Sequence, residues 1–269
     1  MKFWTGFFPA SVSASKKPSK RNSVKLKILC FLIIVTLLVS GCATYYNPVT
    51  GKTEYTLYSE KDELDLGKAI DTKLAKENRF LVNERVQNIG ARLVQVCDRK
   101  NIPYHFRTIQ NDQINAFATC GGYVYVYTGL INKVDSDDEL AGVIAHEIAH
   151  IVARDSVRMM QNQILYSIPA SILFSNGRYP AIQKAVDTLF TLGMLKYSRR
   201  EELQADTLAA TYTYRAGFNP QGIITFFRKL ASKESSLSKT FEIFSSHPNF
   251  EERIKNVEET IKKLQTVPR

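Results

Sequence analysis

The strongest periodic signals along the chain are helical. Val86, Ile89, Leu93 and Val96 recur three to four residues apart, a spacing that puts one apolar stripe on a helix and requires something to bury it. Upstream, Ser59 followed by Asp62 has the form of an N-cap with an acidic first turn, opening a helix to about Glu77. Downstream, Asp137, Asp138 and Glu139 load the start of a long helix with the charge that its N-terminal dipole favours, and the pattern runs to about Met160. Further helical patterns cover Ala181 to about Arg215, closed by Gly217 and Pro220, then Pro220 to Lys233 and Pro248 to Leu264. Tyr104 to Ile109 and Tyr123 to Thr128 are aromatic and β-branched and suit strands, with Gly121-Gly122 as the break before the second. Together these predict a mostly helical α+β domain over 59–269, with a small antiparallel sheet packed on central helices.

The first residues follow a different pattern. Basic residues from Lys16 to Lys27 precede an apolar run from Ile28 to Val39, the charged and hydrophobic regions of a secretory signal. Twelve residues are short for a bilayer span. The run ends in Val39-Ser40-Gly41-Cys42, and small residues before a cysteine resemble the lipobox of bacterial lipoproteins. Residues 1–41 are then a lipoprotein signal peptide, cleavage leaves an acylated Cys42, and a second acyl group makes membrane attachment stable. The alternative is an uncleaved signal anchor with Cys42 a bystander. Ala43 rather than Asp after the cysteine resembles outer-membrane lipoproteins. The stretch 42–58, rich in Tyr, Thr, Asn, Pro and Gly, reads as a linker or wrapping arm.

The net charge of +10 suggests a nucleic-acid partner until it is located. Seven basic residues and no acidic one lie in 1–41, so the rest carries 29 basic against 26 acidic, too balanced for a phosphate-binding footprint. No nucleic acid is expected. Of the two cysteines beyond Cys42, Cys97 and Cys120, an oxidising periplasm permits a disulfide, and two separate buried thiols satisfy the sequence equally.

The chemistry is concentrated in His146-Glu147-Ile148-Ala149-His150. Two His four residues apart differ by only about 40° around a helix and project from one face, close enough to share a tetrahedral ion. Glu147 flanks that face, where it can deprotonate a water that the metal has made acidic. The alanines Ala145, Ala149 and Ala153 leave room for another helix to bring a third ligand. Ser198-Arg199-Arg200-Glu201-Glu202-Leu203-Gln204-Ala205-Asp206 offers two glutamates for that role. If Asp206 holds a ligand His in one tautomer, the ligand should share its face. Glu202, four residues from Asp206, lies about 40° away and Glu201 about 140°, so Glu202 is favoured.

On these residues the chain resembles the zinc metallopeptidase family that includes the heat-shock protease HtpX, the CAAX prenyl protease and the periplasmic protease BepA. Beyond the two motifs, Asn115-Ala-Phe-Ala with Gly121-Gly122, and Ser246-His247-Pro248 with Arg253, carry the likeness. The resemblance implies a zincin-like, gluzincin-type domain holding one zinc on His146, His150 and Glu202, with Glu147, Asp206 and His247 as catalytic groups. Asp206 matches the aspartate sometimes assigned as proton donor. His247 matches a histidine that either stabilises an oxyanion or occupies the open metal position. The chain departs from the family at Cys120, where Pro is expected, and it carries no repeat array after the catalytic domain. His105 matches no family position and reads as structural.

The function this implies is a membrane-anchored, zinc-dependent metalloendopeptidase facing the periplasm from the outer membrane. Its expected substrates are unfolded or misfolded envelope proteins, with the outer-membrane assembly machinery as a further partner. The rival reading is a non-proteolytic outer-membrane protein assembly factor or chaperone.

Overall fold

The alternation Tyr123-Val124-Tyr125-Val126-Tyr127 organises the domain, because a strand with two buried faces must separate two cores. In the computed structural model, which describes residues 43–167, 197–231 and 250–266, this segment is strand β6. The preceding elements are strands β1 (Ala43–Asn47) and β2 (Lys52–Thr56), helix α1 (Glu60–Glu77), strand β3 (Phe80–Leu81), helix α2 (Glu84–Val94), and strands β4 (His105–Ile109) and β5 (Ala116–Thr119). After β6 (Tyr123–Tyr127) come helices α3 (Thr128–Ile131), α4 (Asp137–Ala153), α5 (Asp155–Ser167), α6 (Arg199–Arg215), α7 (Gln221–Ala231) and α8 (Phe250–Thr266). Among the described residues no helix is long and apolar enough to cross a membrane.

The tyrosines of β6 join Leu66, Ile70 and Leu74 of α1 in one core, while Val124 and Val126 join the helical core around α4. Tyr125 Oη donates to Asp71 Oδ1 at 3.0 Å, which ties the sheet to α1. Sheet order is β3-β4-β6-β5. The expected antiparallel pairing occurs at β3–β4 and β5–β6, but the two strands read from sequence, β4 and β6, run parallel. The cause is β5, which lies between them in the chain and at the sheet edge in space. It takes up one reversal of direction, and the tight turn Cys120–Gly122 takes up the next.

That turn is fixed by close approach to α1. A Cβ on Gly67 would sit 2.2 Å from the Cys120 carbonyl oxygen. Gly121 and Gly122 adopt φ of 75° and 87°, which only glycine accepts readily. Cys120 and Cys97 are separate buried thiols.

Helix α4 is the centre of the molecule. Every residue from Leu140 to Ala153 is buried, and the helix packs against α6, α7, α2 and β5. Gly142 permits the crossing with α7, since a Cβ there would stand 2.7 Å from that of Ile223. The pattern read as one helix to Met160 is two, because Arg154 adopts left-handed backbone (φ 56°) and α5 starts afresh at Asp155. Ser59 and Asp62 form the expected capping box on α1, and Ser198 with Glu201 forms another on α6. The predicted helix from Ala181 is described only from Arg199; its earlier part, Cys42 and His247 lie outside the described residues. The 42–58 arm contains the hairpin β1–β2, with Asn47 and Thr56 buried.

Gly67→Ala tests the α1 contact. Helix propensity alone would stabilise by about 1 kcal/mol, but the clash is with backbone, which cannot swing aside. A net loss of about 1–3 kcal/mol is expected, read as a lower denaturation midpoint; an unchanged or higher midpoint would refute the packing argument.

Candidate metal centre

The site forms where α4 and α6 meet, their alanines Ala145, Ala149, Ala205 and Ala209 lying in one buried cluster. His146 and His150 project from the same face of α4, with Nε2 atoms 3.1 Å apart. Glu202, in the first turn of α6, places Oε2 3.5 Å from His146 Nε2 and Oε1 3.6 Å from His150 Nε2. Zinc bonds of about 2.0–2.1 Å at tetrahedral angles set donor atoms about 3.3–3.4 Å apart, so the three separations fit one such ion. Among the described residues this trio is the group of His, Cys, Asp or Glu able to hold a metal. Glu201 turns away. Its Oε2 accepts from Ser198 N at 2.8 Å and its Oε1 faces Arg158 at 3.1 Å.

Each imidazole is held from behind by a carboxylate. His146 Nδ1 lies 2.9 Å from Asp206 Oδ1, and His150 Nδ1 lies 2.7 Å from Asp155 Oδ2. Such partners set the tautomer and leave Nε2 free for the metal. Tyr197 stacks on the His150 ring with centroids 3.8 Å apart. Arg253 of α8, fully buried, donates from Nε and Nη2 to the two Asp206 oxygens at 2.8 Å each, and its Nη1 lies 3.2 Å from Glu202 Oε2. Glu147 is buried beside Val143, Ile223, Phe226 and Phe227, on the Arg253 side of the cluster.

Burial and then the Arg253 charge push the His146 imidazole down, yet hydrogen bonds to Asp206 and Glu202 outweigh them, and its pKa is raised to about 9. For His150, burial and the His146 charge act together and lower it to about 3, which keeps the ring in the neutral form a metal requires. Burial raises the Asp155 carboxyl to about 8 against the pull of Arg158. Burial also acts to raise Asp206, but the Arg253 charge and hydrogen bonds prevail and hold that carboxyl below its ordinary range.

The structure thus brings together His146, Glu147, His150, Glu202 and Asp206, with Arg253 beside them. His247 lies outside the described residues. His105 stacks on Tyr123, centroids 4.4 Å apart, away from the cluster. Asp155 and Tyr197 were missed from sequence. On a continuous helix Asp155 points about 140° from His150; only the break at Arg154 returns it. The available signal was the polar run Arg154-Asp155-Ser156 directly after the apolar Ile151-Val152-Ala153.

Residues 81–261 match the model of peptidase family M48. The chain belongs to that family. M48 peptidases are zinc-dependent, in keeping with a donor set of two imidazoles and a carboxylate. The beta-barrel assembly-enhancing protease of Escherichia coli K12 is 33% identical over 187 residues, 66% of this chain and 38% of that protein. Mitochondrial metalloendopeptidase OMA1 of Schizosaccharomyces pombe is 26% identical over 181 residues, 67% of this chain and 53% of that protein. Metalloprotease YcaL of Escherichia coli K12 is 26% identical over 204 residues, 74% and 76% respectively. The M48 chain described here spans about two fifths of the length of the beta-barrel assembly-enhancing proteases it matches.

Without metal, His146 keeps its proton to about pH 9, whereas an unfolded imidazole loses it near 6.5. Its contribution to the stability of the metal-free fold is therefore complete below 6.5 and lost as pH rises through about 9. Zinc needs the neutral ring and must expel that proton. Zinc affinity is expected to climb across the same window; chelator-competition titrations at its two ends showing a flat or falling profile would contradict this.

Proposed function

We propose that this chain is a zinc-dependent metalloendopeptidase, held on the periplasmic side of a bacterial envelope membrane through acylated Cys42, that degrades misfolded or damaged envelope proteins. The observation that carries the peptidase part is the convergence of His146, His150 and Glu202 donor atoms within 4.8 Å of one another, with Glu147 buried beside them. Zinc, when bound, lowers the pKa of water and polarises a scissile carbonyl. Glu147 is the base that takes a proton from the attacking water and returns it to the leaving amine. Asp206 fixes the His146 ring. Both its oxygens are engaged by Arg253 and it is held ionised, which suits orientation and not proton delivery. The family resemblance is what supports a role for His247 at the same site, either as oxyanion partner or as an inhibitory ligand.

Strand β5 occupies one edge of the sheet, where an extended substrate adds by main-chain hydrogen bonds along Asn115 to Ala118. Recognition of this kind reads backbone more than sequence, which suits unfolded chains. The envelope part draws on the Cys42 motif and on relatives named for β-barrel assembly enhancement. The second reading, a non-proteolytic outer-membrane assembly factor, draws only on the word for assembly in those names, which also call the relatives proteases.

Glu147→Gln is expected to keep zinc and lose casein cleavage by about 10²–10⁴-fold, the usual worth of a general base; retained cleavage would remove Glu147 from the chemistry. The same variant in cells separates the readings, since a scaffold still complements a deletion strain and a protease does not. Cys42→Ser is expected to move the protein from the membrane fraction to the soluble one, and continued sedimentation with membranes would exclude lipid anchoring at that cysteine.

A further inference from the structure

The hairpin β1–β2 is joined to the metal centre by an unbroken chain of charged contacts. On its inner face, Glu54 Oε2 accepts from Tyr45 Oη at 2.7 Å and lies 3.3 Å from Arg158 Nη1. Arg158, in α5, reaches Asp155 Oδ1 through Nη2 and Glu201 Oε1 at 3.1 Å. Asp155 offers its other oxygen to His150 Nδ1, and Glu201 closes the capping box at the start of α6, one residue before Glu202. One guanidinium therefore touches the hairpin, the carboxylate that orients one imidazole ligand, and the cap of the helix that carries the glutamate ligand. A planar fork spreads its donors over three nitrogens and so serves three carboxylates set apart from one another, whereas a lysine gathers its three donors on one atom.

The hairpin also grips the α4–α5 joint from the other side. Arg154, the left-handed residue at the joint, stacks over the Tyr45 ring at 4.5 Å and donates from Nη2 to Tyr58 O at 3.1 Å. Gln161 Oε1 accepts from Leu57 N at 2.9 Å. The break that brings Asp155 to His150 is thus clamped by the segment that follows Cys42.

We propose that the hairpin is a structural part of the metal centre and that Arg158 is a positioning residue, through which Glu54 holds Asp155 against His150 and Glu201 at the start of α6. The inference rests on the zinc-peptidase reading and deepens it. It makes zinc affinity depend on whether the segment next to the membrane attachment point is docked.

The test uses the full chain with Glu54→Gln, Arg158→Gln, the double variant and Arg158→Lys, measuring zinc affinity by chelator competition and the visible spectrum of the cobalt-substituted protein. Groups that orient metal ligands are worth about 10–100-fold in affinity, so about tenfold is expected for Arg158→Gln and about threefold for the more remote Glu54→Gln. The double variant is expected to match Arg158→Gln alone, because Glu54 acts through Arg158, and Arg158→Lys to recover part of the loss. The cobalt bands should shift in Arg158→Gln, a change that general destabilisation of a folded, loaded protein does not produce. Wild-type affinity and spectrum in both single variants, or strictly additive losses in the double, would overturn the inference while leaving the peptidase reading intact. A wild-type chain that binds no zinc would overturn both. Glu54→Gln, at a partly exposed position, keeps the test decisive if Arg158→Gln fails to fold.

Discussion

The structure depends on an unusual concentration of buried charge between α4 and α6. His146, Glu147, His150, Asp155, Glu202 and Asp206 are all nearly inaccessible to water, and their carboxylates outnumber the two guanidiniums set directly against them, Arg253 on Glu202 and Asp206 and Arg158 on Asp155. Burying such groups without compensation costs several kcal/mol each, on the order of a small domain's whole stability. Arg253 and Arg158 supply part of the compensation, and a divalent cation would supply the rest. The raised pKa of His146 expresses the same demand for positive charge, met by a proton when the metal is lacking. Proton and zinc are in that sense competitors for one electrostatic role.

Much of the remaining architecture holds this cluster in place. An apolar α4 excludes water from the ligand face, and small residues on α4 and α6 let the two helices approach. Arg253 is pinned between Asp206 and the Phe227 ring, whose centroid lies 4.3 Å from the guanidinium carbon. The groups that orient the ligands come from α5, α6 and α8, and the glutamate cap ties α6 to the hairpin. Elements far apart in sequence are thereby coupled by a few short polar contacts in a low-dielectric interior, where each is worth more than at a surface.

What could be read from sequence divides along a physical line. The two His on α4 and the choice of Glu202 over Glu201 followed from helical geometry, because 3.6 residues per turn is a rigid rule and α4 and the start of α6 obey it. The cap at Ser59 with Asp62 was legible for the same local reason. The parallel pairing of β4 with β6 was not, since it depends on where β5 is inserted, a non-local fact that alternation cannot encode. The role of Asp155 was hidden by the rule that revealed Glu202: counting degrees along a continuous helix sends it to the wrong face. Arg158 and Glu54 lie 104 residues apart, and nothing in either local pattern announces their pairing.

The break at Arg154 raises the question of why the helix is not simply continuous. Left-handed backbone costs a non-glycine residue about 1–2 kcal/mol, and a glycine there would remove the penalty. It would also remove the side chain, whose Nε lies 2.8 Å from Glu63 Oε2 and whose Nη2 meets Tyr58 O. The bond from the charged guanidinium to Tyr58 O is of a kind that contributes about 1.5–3 kcal/mol, enough to offset the strain, and Glu63 is itself buried and needs cationic partners, which Arg154 and Arg99 provide as ion pairs. An arginine in a glycine's conformation thus does two things at once: it turns the chain so that Asp155 faces His150, and it locks the turn to α1 and the arm. Strain placed next to the metal ligands is sustained by contacts outside them, which is why the integrity of the site is decided partly by residues that never touch the ion.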